Sequence, residues 1–145
     1  MDNPRGWEMV RNCESLLEVF DCFPSFHDSA VRTFCLKRGR TERGPSGKLR
    51  ELVDLELEIL HNRYGPPKND GSQGHLIMLA LLDITSSEID VNVMLEAAWI
   101  ADVRFSRTPD DLIRFDLMPN IGLDIQLTCR DSFVRVVRPY TRDEV

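Results

Sequence analysis

Apolar and polar residues alternate with a period of two along much of this chain, the spacing of half-buried strands. Val53, Leu55, Leu57 and Ile59 alternate with Asp54, Glu56 and Glu58. Trp99, Ala101, Val103 and Phe105 share one parity, as do Ile113, Phe115 and Leu117, and then Leu123, Ile125, Leu127 and Cys129. Turn residues at 109–111 (Pro-Asp-Asp), 120–122 (Asn-Ile-Gly) and 130–131 (Arg-Asp) separate these runs, so the last third reads as a meander of hairpins. In the first hairpin, charge selects the register. A three-residue loop at 109–111 sets Arg104 opposite Asp116 and Phe105 opposite Phe115, whereas a shift of two sets Arg104 against Arg114 and Asp102 against Asp116. Gly122 supplies the left-handed residue that the second hairpin loop needs.

Upstream, residues 30–36 predict a strand. Residues 76–82 are apolar on both parities, as in a central strand covered on both faces. Ile89, Val91 and Val93 alternate again, with a short helix over 87–95 as the competing reading. Near the N-terminus the period changes. Leu16, Leu17, Val19 and Phe20 follow Asn12, a candidate cap, with Glu14 in the first turn; Trp7 and Val10 extend the stripe and Pro24 stops it. Two stretches read as loops: 37–50, rich in Gly, Pro and Arg, and 61–74, with Pro66, Pro67 and three glycines. The predicted fold is α+β, predominantly antiparallel β-sheet with a C-terminal meander and a short N-terminal helix, in one domain spanning 1–145.

Charge narrows the function. The net charge is −6, and between Asp83 and Asp131 ten acidic residues face four basic ones, while outside that segment the signs balance. An acidic domain repels phosphate backbones, which argues against nucleic acid and for a basic partner. Strand alternation sends Asp102, Asp116 and Asp124 to the face opposite Val103, Phe115 and Ile125, which makes those three carboxylates the candidate partner-binding residues. Arg104 and Arg114 share that face and pair with part of it. The longest apolar run is seven residues against the ~20 of a spanning helix, and the N-terminus carries no basic-then-apolar leader. A cytoplasmic location and no membrane partner are expected. Cys13, Cys22, Cys35 and Cys129 lack metal-ligand spacing and read as reduced thiols, with Cys35 and Cys129 in strand-like apolar surroundings.

Catalytic signals are weak. His27 and Asp28 are adjacent, and on an extended chain adjacent side chains point to opposite faces, so they do not form an acid–base pair there. Asp28 and Ser29 are better read as serving backbone donors at a turn, with Phe26 packed inward. His27, His61 and His75 lack the spacing of a zinc site. There is no nucleophile elbow and no phosphate-cradling loop. No catalytic residue, metal or cofactor is assigned. The basic stretch 37–50 lacks aromatics that would stack bases and reads as a solvated loop. Asp54, Glu56 and Glu58 read as a wet sheet face.

The string Pro24, Ser25, Phe26, His27, Asp28, following Phe20 and followed by Val31, resembles the motif of the immunity protein 50 family of bacterial polymorphic toxin systems. The order of strands agrees loosely over most of the chain. This resemblance implies a cytoplasmic, non-enzymatic protein that binds and neutralises a cognate toxin domain through a surface that varies with the toxin. Two rival readings stand beside it: an enzyme or small-ligand binder with a pocket near His27, His61 and His75, and a module that self-associates through an exposed sheet edge.

Overall fold

The computed structural model describes residues 5–62, 74–91 and 99–144. A 3-10 turn at Trp7–Met9 and a single helix, α1 (Glu14–Phe20), precede six strands: β1 (Ala30–Arg43), β2 (Leu49–His61), β3 (His75–Val91), β4 (Trp99–Arg107), β5 (Ile113–Ile121) and β6 (Leu123–Pro139). All neighbours are antiparallel, and the sheet closes into a barrel in the order β1-β2-β3-β6-β5-β4. The described residues are therefore mostly antiparallel sheet with one short α-helix. The sheet begins at Ala30 and runs to Pro139, with strands in every part of that span and not in the C-terminal third alone.

The predicted inward parity fills the barrel. Leu55, Leu57, Ile59, Ile77, Leu79, Leu81, Val103, Phe115, Ile125 and Cys129 are all buried in one core. Arg104 lies opposite Asp116 and Phe105 opposite Phe115, as the charge argument requires. The loop is the three-residue one, with Thr108 and Leu112 joined at its base and Asp111 left-handed (φ 63°). Gly122 is left-handed (φ 97°) as expected, but the second hairpin is not a three-residue loop at 120–122: β5 runs through Asn120 and Ile121, and its last pair with β6 is Leu117 with Ile125.

Other expectations need correction. The basic stretch is not a loop: β1 runs to Arg43, β2 starts at Leu49, and only 44–48 turn. Arg130 and Asp131 are not a turn, because β6 passes through them. A register shift at Ile100 reverses the parity of β4, so Ile100 is buried while Trp99 and Ala101 are half-exposed. Asn12 does not cap α1 with its side chain; its amide donates to Val134 O (2.8 Å). The helix stops at left-handed Asp21, before Pro24 is reached. The strand following residue 82 extends through Val91 with no helix, and Val93, like most of the predicted 61–74 loop, lies outside the described residues. Cys35 is exposed, whereas burial pushes the Cys129 thiol up to about 12.

Among the described residues, β1 and β4 meet at the pair Ala30 with Trp99, flanked by Asp28 N–H to Ile100 O and Ile100 N–H to Ser29 O, both 2.9 Å. The N-terminal segment completes the wall. Phe105 N–H donates to Arg5 O (2.7 Å) on the edge of β4, and Arg11 bridges β6 through Ser132 O and Val134 N–H (both 3.0 Å). Trp7, fully buried, packs on Phe105 (4.9 Å between ring centroids) and Phe26 (5.6 Å).

Gly6 permits that approach. Its φ is +75°, and a Cβ there would lie 2.1 Å from the Phe105 carbonyl oxygen. Gly47 has nearly the same φ, +79°, but open space around it. Gly6→Ala should cost ~3 kcal/mol or more, since backbone must move as well as strain. Gly47→Ala should cost only the left-handed strain of ~1 kcal/mol. Urea denaturation of the two variants tests this; equal losses would mean that the Gly6 contact does not hold the segment in place.

Candidate functional site

The motif residues Pro24 to Asp28 build the closing turn. Phe26 and Asp28 are both left-handed (φ 61° and 63°), so the chain is not extended here. In consequence the expectation that His27 and Asp28 cannot meet is wrong: His27 Nε2 lies 3.6 Å from Asp28 Oδ1. His27 Nδ1 also lies 3.0 Å from Ala101 O, and Asp28 Oδ1 accepts from the Asn120 amide (3.2 Å). Ser25 Oγ accepts the His27 backbone N–H (3.2 Å), a service the sequence reading had given to Asp28 and Ser29. Phe26 is buried as expected. The contacts with Ala101 and Asn120 tie the turn to β4 and β5, and the His27–Asp28 pair is exposed.

His61 and His75 face each other across β2 and β3, with the Phe20 ring against both (4.7 and 5.4 Å between centroids). His27 does not join them in a ligand set: among the described residues no group of three or more His, Cys, Asp or Glu is placed to hold a metal ion.

The two charged stretches neutralise each other. Across the β1–β2 hairpin Lys37 pairs with Glu56 (2.9 Å), Arg38 with Glu51, and Arg40 with Asp54 through two bonds (2.7 and 2.8 Å). Glu56 also meets Arg135 (3.4 Å) and Glu58 meets Arg32 (3.4 Å), so the carboxylate row is not an open wet face. Asp54 is buried and accepts the backbone N–H of Asp83 (2.9 Å). Asp83, buried and left-handed (φ 56°), is gripped by Arg50 (2.8 Å) and Arg130 (3.1 Å). At this point β3 leaves β2, whose last paired residue is Leu55 against Leu81.

The predicted acidic face divides. Asp102 is held by Arg5 (2.9 Å) and Arg104 (2.7 Å), and its side chain is only 16% exposed. Asp116 is held by Arg114 (3.1 Å). The arginines on this face thus pair along their own strands, not across the hairpin. Asp124 differs. It lies directly opposite Asp90, with Glu88 two residues away on the same strand, and none of the three makes an ion pair among the described residues. The charge pattern had pointed to Asp124 but missed Glu88 and Asp90; the alternation through 89–91 carried that signal.

Two open depressions flank Glu88 on the outer face of β3 and β6. One, about 390 Å³, is lined by Glu88, Ile89, Asp90, Asp124 and Gln126. The other, about 250 Å³, is bounded by Ser86, Ser87, Arg114 and Thr128 and shares Glu88 and Gln126. A third, about 730 Å³, lies at the β1–β2 tip between Lys48, Leu49, Arg50 and Arg130. Charged side chains cover the outside of the barrel and apolar ones the inside, and no described helix is long and apolar enough to cross a membrane. No protein-family model, characterised protein or solved structure matches the chain.

The paired carboxylates make stability depend on pH. The hydrogen bonds from Arg40 outweigh desolvation and hold the Asp54 carboxyl below its ordinary value of 3.8. At Asp102, desolvation pushes upward but Arg104 and Arg5 together prevail, so that carboxyl is also lowered. A carboxyl that ionises more readily folded than unfolded stabilises fully above its unfolded pKa, and the gain is lost as pH falls through the folded value. Melts between about pH 6 and pH 3 should therefore show falling stability at the acid end. Asp54→Asn should cost ~2 kcal/mol at neutral pH and flatten that decline. An unchanged profile in the variant would show that Arg40 does not stabilise the ionised carboxylate.

Proposed function

We propose that this protein is an immunity protein: it binds a cognate bacterial toxin domain and neutralises it by occupying a surface the toxin needs. The acidic face of β3 and β6 makes the contact, and the partner is basic. The observation that carries this reading is the separation of charges. Asp83, Asp102, Asp116 and Asp131 all have arginine partners, while Glu88, Asp90 and Asp124 share one face without an ion pair. Asp90 opposite Asp124 is a like-charge cross-strand pair, an arrangement that costs stability in the free protein. Such a local conflict is what a binding site retains. Resemblance of the Pro24–Asp28 string to the immunity protein 50 family supplies the toxin as partner, and the placement of that string in the closing turn agrees with its being a fold motif separate from a variable contact surface.

Asp102, proposed with Asp124 as a contact from its outward parity, is the wrong residue to test, because reversing it would expel Arg5 and Arg104. Reversing Asp90 and Asp124 to lysine removes only unpaired charge. With the toxin domain encoded beside the gene, the double variant should associate about tenfold more slowly at low salt, with a weaker salt dependence and an unchanged melting temperature. The wild-type chain should restore growth when co-expressed with that domain. Rates that do not respond to either the substitutions or salt would remove the acidic face from the interface.

A further inference from the structure

Among the described residues, the outer edge of β3 has no strand beside it along half its length. β2 pairs with it only as far as Leu81, and from Ile84 to Val91 the described residues place a strand, β6, on one side alone. The opening is built into the fold. Left-handed Asp83 turns β3 away, its N–H is capped by Asp54, and Arg50 and Arg130 fix its carboxylate.

Exposed strand edges invite pairing, and proteins commonly blunt them with lysine, proline or bulges. β1 is guarded in this way on its outer side, with register shifts at 31–33 and 38–40 and with Arg32, Lys37, Arg38, Arg40 and Arg43. The stretch Ile84–Val91 carries no Lys, Arg or Pro and has one register shift, at 84–86. Its charges are Glu88 and Asp90, two residues apart and on one face. They repel a second copy of the same edge and attract a cation.

We propose that this edge receives an extended segment of the partner as an added strand, with lysine or arginine at alternate positions. The proposal rests on the basic protein partner argued above and adds the mode of contact. On an added strand, alternate side chains project from one face ~6.7 Å apart, the period of Glu88 and Asp90. The two depressions around Glu88 give long basic side chains room beside those carboxylates. Backbone bonds supply affinity without regard to sequence, and the carboxylates supply the preference for basic residues.

The test uses the intact protein and a synthetic ten-residue peptide alternating Lys with Val and Thr, with a control in which Glu replaces Lys. Backbone amide exchange is followed by NMR. In the free protein, alternate amides from 84 to 91, those turned away from β6, should exchange rapidly; saturation with the Lys peptide should slow them at least tenfold, and the Glu peptide should not. Those data identify which of Ser86 and Ser87 points its N–H outward, and proline at that position should weaken the peptide about tenfold while the fold persists. If the outward amides stay fast at millimolar Lys peptide, strand addition is overturned, and the acidic-face reading then stands or falls on its own association rates. If they slow equally in the Asp90→Lys, Asp124→Lys variant, the edge is confirmed and the charge-based choice of partner is overturned.

Discussion

A barrel of six strands has to bring its first and last strands together, and the described part of that seam is the pair Ala30 with Trp99. Much of the N-terminal third is arranged around it. The turn at 24–29 needs two left-handed residues to carry the chain onto β4, and Phe26 anchors it in the core. The segment before it crosses from β4 at Phe105 to β6 at Phe133, accepting from Phe105 N–H and Val134 N–H and donating to Ser132 O. Arg11 reinforces the far end by lying 5.0 Å over the Phe133 ring while bonding Asp131 at 2.6 and 3.0 Å. The junction has a cost: Trp7 Nε1 and Ser29 Oγ are buried with no partner among the described residues, each worth roughly 1–3 kcal/mol against the fold. Apolar burial of Trp7, Phe26 and Leu16 has to exceed it.

The barrel's core was legible because strand periodicity is a local signal. So was the β4–β5 register, since a slip of two creates two like-charge pairs at once. What could not be read depended on distant partners. Six basic residues between Lys37 and Arg50 look like a solvated loop until Asp54, Glu51 and Glu56 are seen opposite them; the complementary signs were in the sequence, but their register was not. Arg130 and Asp131 look like a turn because two charged residues interrupt an apolar alternation. They continue the strand because Asp83 and Arg11 meet them. Likewise, His27 and Asp28 were kept apart by an assumption of extended backbone that Phe26 and Asp28 both violate.

Electrostatics shows the same dependence on tertiary structure. Along the chain, the acidic excess lies wholly between Asp83 and Asp131. In space, Arg5, Arg11 and Arg50 reach into that segment from earlier in the chain and neutralise Asp102, Asp131 and Asp83. Within that segment, what remains on the outer face of β3 and β6 is Glu88, Asp90 and Asp124. Of the three aspartates singled out by parity, only Asp124 belongs to it, because parity reports which face a side chain occupies and not what has come to meet it.

The same cluster that stabilises the middle of the sheet also sets off the stretch of β3 that, among the described residues, has β6 alone beside it. If Asp83 were an ordinary strand residue, β2 could continue along β3, and the N–H and C=O groups beyond Leu81 would be consumed by the barrel itself. Its left-handed turn diverts β3, and the diverted strand would fray unless the turn were fixed. Asp54 fixes the N–H and two arginines fix the carboxylate, from the two neighbouring strands β2 and β6. Buried charge of this kind adds little net stability compared with apolar packing. Its value lies in holding one geometry, in which the β1–β2 hairpin goes one way and the acidic end of β3 goes the other. Glu88 and Asp90 lie immediately beyond that branch, so unpaired carboxylates stand on a stretch of sheet whose described residues have β6 alone beside them.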